Sequence, residues 1–127
     1  MGILEAAKPA IVICTRDRAR ATAFYRDTLG LTLDHEDSLA AVFLSGGATL
    51  RVSLVPHFTA HEHTILGFRV PHVATVVRAL RQSGVVFHRK PAFPQDELGI
   101  LTVPGAGNVQ VAWFKDPDGN ILSVTNV

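Results

Sequence analysis

Cysteine, methionine, tryptophan and tyrosine each occur once in 127 residues. With Cys14 alone, the chain has no intrachain disulfide and no cysteine-based zinc site, and its apolar, strand-like setting suggests a buried, inert thiol. An excess of charge of either sign is also missing. Twelve Lys and Arg stand against 11 Asp and Glu, a formal net charge of +1. A binder of phosphate backbones needs a basic surface that this balance does not supply, so nucleic acid is not an expected partner. Arg16, Arg18, Arg20 and Arg26 gather on one helix, but their positions around it suit a solvated face. No apolar run reaches the ~20 residues of a membrane span. Residues 1–9 hold no basic leader, and Ala6 stands where a myristoylation signal carries Ser or Thr. The expectation is a cytoplasmic protein with no membrane partner.

What is present is core-forming material: 47% hydrophobic and 18% charged residues, enough for one domain over residues 1–127. Residues 10–15 read as a strand, and Asp17 as the N-cap of a helix. Ala21, Phe24, Tyr25, Thr28 and Leu29 fall on one face at helical spacing, and Gly30 closes the helix. Strand-like runs follow at 31–35, 39–45 and 48–55, the last two joined by a Ser45-Gly46-Gly47 turn. After a polar linker at 56–62 the pattern recurs. Residues 64–70 read as a strand, Val73, Val76, Val77 and Leu80 as a helical face, and Gly84 as its end. Strands are expected at 85–89, 99–103, 109–115 and 121–125. Gly84 follows Gly30 by 54 positions, and that offset carries Ile11 onto Ile65, Leu31 onto Val85 and Leu33 onto Phe87. A duplicated βαβββ module is the economical reading, module 1 over about 8–56 and module 2 over about 63–127.

Two stretches carry a resemblance. Residues 24–31, FYRDTLGL, end a helix at a glycine and enter a strand. Residues 114–120, FKDPDGN, place Pro, two Asp, Gly and Asn between apolar strands, a hairpin by turn chemistry in which Gly119 and Asn120 tolerate positive φ. Together they resemble the vicinal oxygen chelate superfamily of glyoxalase I, extradiol dioxygenases, fosfomycin-resistance and bleomycin-binding proteins, roughly from Lys8 onward. The resemblance implies an α+β fold in which two βαβββ modules form a concave mixed sheet with helices outside. Periodicity alone supports only an α+β domain. The superfamily also implies a homodimer whose modules pair across chains.

In its metal-using members the resemblance implies His or Gln on the first strand, a ligand opening the second module and Glu on the last strand. Carried over, these positions are Ala10, Ile65 and Ser123. Ala and Ile have no ligand atom and Ser is a weak neutral one, whereas zinc and iron rely on His, Cys and carboxylates. His63 shares strand parity with Ile65 and offers one imidazole where about three protein ligands are needed. The expectation is no metal and no cofactor.

Alternation then selects what a concave face offers a small molecule. Ile11, Ile13, Leu66, Phe68, Leu122 and Val124 should pack under helices, and residues with the parity of Ala10, Ile65 and Ser123 should face inward. On the strand at 48–55 this leaves Thr49, Arg51 and Ser53 on the cavity side. Arg51 suits a carboxylate or phosphonate, and equally a snorkelling surface position or a salt bridge across the dimer. Trp113 with Val111 can wall an aromatic pocket. The expected ligand-binding set is Arg51, Ser53, His63, Ile65, Val111, Trp113 and Ser123, with no catalytic residue assigned. Asp96 and Glu97 are loop carboxylates more apt to be solvated than basic catalysts, and residues 105–108, GAGN, lack the flanking strand and helix of a phosphate loop. Three readings stay open: a metal-free binder of a small, anionic organic molecule in an apolar cup; a lyase, isomerase or dioxygenase using His63 with His57 or Glu97; and a non-catalytic interaction domain with a filled cavity.

Overall fold

Residues 2–127 are described by a computed structural model, in which the chain divides between Phe58 and Thr59 into two units. In the first, β1 (Ala10–Thr15), β2 (Thr32–Glu36), β3 (Ala40–Ser45) and β4 (Ala48–Leu54) form a sheet of order β1-β4-β3-β2. β1 runs parallel to β4 and the other pairs are antiparallel. Gly46 and Gly47, at φ +54° and +83°, make the two-residue turn between β3 and β4, a conformation that glycine adopts without strain.

Asp17 caps the helix as expected, its Oδ1 accepting from Arg20 N at 3.1 Å. The helix itself differs from expectation. α1 (Arg18–Thr22) gives way to a π-helical turn over Ala23–Thr28, in which Leu29 N donates to Phe24 O, five residues back, at 2.9 Å. The wider turn rotates the buried face. Ala21, Thr22 and Tyr25 are buried, whereas Phe24, Thr28 and Leu29 are only half-buried. Gly30 at φ +77° then lets Leu31 N reach Tyr25 O and ends the segment. The Tyr25 and Phe43 rings, both fully buried, lie 5.9 Å apart, and Ile13, Leu50 and Val52 are buried with them in the core. Burying one such ring contributes about 2–3 kcal/mol.

The second unit repeats this plan with β5 (Thr64–Arg69), α2 (Val73–Gln82), β6 (Phe87–His88), β7 (Leu101–Thr102), β8 (Gln110–Lys115) and β9 (Ile121–Thr125). β5 is parallel to β9 as β1 is to β4, β8 and β9 repeat β3 and β4, and β6 and β7 share the edge of β8 where β2 alone lies on β3. The architecture is thus the expected pair of βαβββ modules, with β6 and β7 in the second taking the place of the single strand β2 in the first. Two strands are shorter than expected, because residues 89–100, with Pro91 and Pro94 offering no backbone donor, form a loop between β6 and β7. Val73, Val77, Leu66, Ala112, Phe114, Leu122 and Val124 are buried on the helix side of this sheet.

Register corrects the gapless repeat in the first strands. Ile11 lies opposite Leu50, and Leu66 opposite Leu122 after an irregularity at Thr64–Leu66. Ile11 therefore corresponds to Leu66, not Ile65, and the offset of 54 holds at the two helix-ending glycines rather than along the strands.

Candidate functional site

On the helix-free face of each sheet, one cross-strand row stands out. In the first unit Val12 pairs with Arg51, Arg51 with Val42 and Val42 with His35. In the second, Gly67 pairs with Ser123, Ser123 with Trp113 and Trp113 with His88. The rows are topologically equivalent: Arg51 corresponds to Ser123, Val42 to Trp113 and His35 to His88.

The first row is open. Val12 is 63% exposed. Arg51 is half-buried, and its guanidinium donates to Asp37 Oδ2 at 2.9 Å. Asp37 also accepts from Leu39 N and Ala40 N through Oδ1, both at 2.8 Å. The Leu39 N bond first, then Arg51, then the Ala40 N bond hold its carboxyl below the usual range. Arg51 is thus a paired cation rather than a bare one. Ser53 lies one row along, between Cys14 and Ala40. Cys14 is half-buried on this same face, less enclosed than the sequence suggested.

The second row is covered. Trp113 is 8% exposed and forms a hydrophobic cluster with Leu101 and Ile121, flanked by Val103 and Val111. The 89–100 loop lies over it. The Phe93 ring stacks on the indole at 5.6 Å and 20°, and Lys90 Nζ lies 4.5 Å from an indole ring centroid. Gln95 fastens the loop: its Oε1 accepts from Lys90 N at 2.7 Å, and its Nε2 donates to His88 O and Gly99 O at 3.0 and 2.7 Å. Asp96 Oδ1 accepts from Leu98 N and Ile100 N. Beside Trp113, burial, then Lys115 and then Lys90 lower the pKa of His88. Ser123 is 5% exposed, with its Oγ facing the space left by the missing Cβ of Gly67.

At the carried-over ligand positions, Ala10 and Ile65 present no donor atom, and Ser123 presents one hydroxyl in the row just described. His63 is exposed and its ring stacks on His61 at 4.9 Å. Among the described residues, no group of three or more His, Cys, Asp or Glu is placed to hold a metal ion. This donor set does not fit the zinc or iron of the superfamily's metal enzymes. Arg89 donates to Glu97 O at 2.9 Å, and both residues line a groove of about 370 Å³ at the C-terminal end of α2, away from the Trp113 row.

Of the expected residues, Trp113, Val111 and Ser123 come together on one face, and Arg51 and Ser53 on another. Ile65 sits half-buried at the β5 irregularity, and His63 lies apart from either row. Sequence reading missed His35, His88, Lys90, Phe93 and Asp37. The two histidines require the β2–β3 and β6–β8 registers, and the others come from irregular segments without periodicity.

The model of the Glyoxalase/Bleomycin resistance protein/Dioxygenase superfamily matches residues 9–124. A Sphaerobacter thermophilus member of that superfamily has a solved structure that is 20% identical, with a TM-score of 0.74, covering 97% of this chain and 98% of its own. A glyoxalase family protein from Enterococcus faecalis is 20% identical, with a TM-score of 0.68 and coverage of 98% and 99%. The oxidase ChaP-H2 is 18% identical, with a TM-score of 0.69 and coverage of 97% and 94%. No curated protein sequence matches the chain.

Proposed function

The chain belongs to the glyoxalase/bleomycin resistance protein/dioxygenase superfamily, and from that premise we propose that it binds a small organic anion in an apolar cup without a bound metal ion. The observation that carries this reading is the exchange at the superfamily's ligand positions: donors are replaced by Ala10 and Ile65, while the helix-free sheet faces keep apolar and cationic side chains. Arg51 among Val12 and Val42, and Lys90 beside Trp113, combine apolar area with positive charge. Such a surface orients an anion by a few polar contacts and holds its carbon skeleton by burial. No proton-transfer or redox step is assigned.

Calorimetry of chelator-treated protein against a series of organic acids tests the reading. Saturable binding that is unchanged by chelator supports it. A near-equimolar transition metal that survives mild chelation, with binding lost on its removal, would sink it. The cover over Trp113 favours a second reading, an interaction domain whose cavity is filled from within. That reading expects no acid to bind.

Pairing of modules across two chains is part of the proposal, since the superfamily resemblance carries it. Sedimentation at micromolar concentration should give a dimer, and a 13.7 kDa species alone contradicts it.

A further inference from the structure

The ring that covers the Trp113 cluster is itself exposed. Phe93 is 43% exposed, yet its ring stacks on an indole that is only 8% exposed. Its backbone is not free to move: Phe93 N donates to Lys90 O, and Gln95 N to Phe93 O. Gln95 in turn ties the loop to β6 and to Gly99. With the backbone so held, any uncovering of the indole would fall to the half-exposed side chain. What it would uncover is a flat indole face with positive charge around it. Lys90 Nζ lies over the indole and Lys115 shares its strand face; His88, directly across from it, adds no charge where its lowered pKa keeps it neutral. Among the described residues neither lysine has an ion pair, and both contribute to holding His88 below its ordinary pKa. An unneutralised ammonium beside an aromatic plane is an unspent contact for an anion.

We propose that Phe93 is a self-ligand occupying the ring subsite of a planar aromatic acid, which would stack on Trp113 in its place and present its carboxylate to Lys90. The proposal rests on the metal-free binding reading above and names the ligand class of the second module's face. Stacking selects a flat ring over an aliphatic chain, and the lysine selects an anion over a neutral amide of the same shape. Competition with Phe93 keeps the intrinsic affinity partly masked.

The test uses 2-naphthoate, its neutral carboxamide and cyclohexanecarboxylate, followed by calorimetry and by the emission of Trp113, the only tryptophan. Naphthoate should change that emission saturably. Phe93→Ala, and Phe93→Leu as a version that keeps apolar cover, should each tighten naphthoate by about threefold or more as the competitor is removed. Lys90→Met should weaken naphthoate roughly tenfold, the loss of one charge-assisted contact, and leave the carboxamide unchanged. Naphthoate affinity that is unchanged or weaker in both Phe93 variants overturns the proposal, as does equal loss of acid and amide in Lys90→Met. If cyclohexanecarboxylate binds as well as naphthoate and Trp113 stays silent, the aromatic subsite falls while metal-free anion binding stands. If no acid binds wild type or any variant, both fall together.

Discussion

Gly67 lies directly opposite Ser123 across the parallel β5–β9 pair, and a Cβ built on it would come within 3.0 Å of Ser123 Oγ. The contact is too close to be comfortable, but it is made by a hydroxyl that can turn aside. Replacing a strand glycine with alanine otherwise stabilises by about 0.4–1 kcal/mol through the unfolded chain. Gly67→Ala should therefore stabilise in a Ser123→Ala background and gain less, or lose, in the wild type. The two changes should couple by at least about 0.5 kcal/mol in urea denaturation. Additive effects would mean that Ser123 yields without cost.

Asp116 is the centre of the β8–β9 turn. It is 5% exposed, and its carboxylate accepts from Asp118 N, Asn120 N and Asn120 Nδ2 at 2.8–2.9 Å. Asp116→Ala orphans buried donors and should cost about 2–4 kcal/mol. Asp116→Asn, which keeps an acceptor at Oδ1, should cost less. A denaturation midpoint indistinguishable from wild type for the alanine variant would mean that water replaces the carboxylate.

Asp37 separates a local effect from a partner effect. Its lowered pKa is caused first by Leu39 N, then by Arg51, then by Ala40 N. In a carbon-detected NMR titration, Arg51→Met should move that pKa part of the way back, and a full return would reverse the order of causes. Because the folded pKa is the lower one, Asp37 favours folding above the unfolded value of about 3.9, and this contribution is lost as pH falls through the folded value.

His88 titrates with the opposite charge but the same direction of pH dependence. Its folded pKa is depressed, so neutral His88 contributes fully above the ordinary value of about 6.5, and the contribution fades as pH falls toward the folded value. Burial is the largest cause, followed by Lys115 and Lys90. Lys115→Met should raise the His88 pKa more than Lys90→Met, and neither should restore it. Imidazole proton shifts report both.

Residues flanked by strong punctuation were legible in sequence. Pro9 and Asp17 bound β1, Asp116–Asn120 bound β9, and both strands fall at 10–15 and 121–125 as read. Strand alternation placed Leu50, Val52, Leu122 and Val124 under helices and Trp113 on the other face. The π turn was not legible, because Tyr25 and Leu29 satisfy a 3.6-residue period whether or not the backbone widens. Positive φ in the last turn belongs to Gly119 alone, and Asn120 is ordinary, since its side chain bonds Asp116 instead. The Arg51–Asp37 pair and the Phe93–Trp113 stack join a periodic residue to an irregular one. No period in the sequence encodes that meeting.

The two modules also differ in one interval. From His35 to Val42 the chain advances 7 positions, and from the corresponding His88 to Trp113 it advances 25. The added stretch includes the loop that carries Lys90, Phe93 and Gln95, while β5, β8 and β9 pair without it. Residues that screen access to the indole are therefore separable from residues that build the sheet, and lengthening a surface connection costs little closure entropy. Exchange of the 89–100 loop alone would change what covers the indole while the strands on either side keep their pairing.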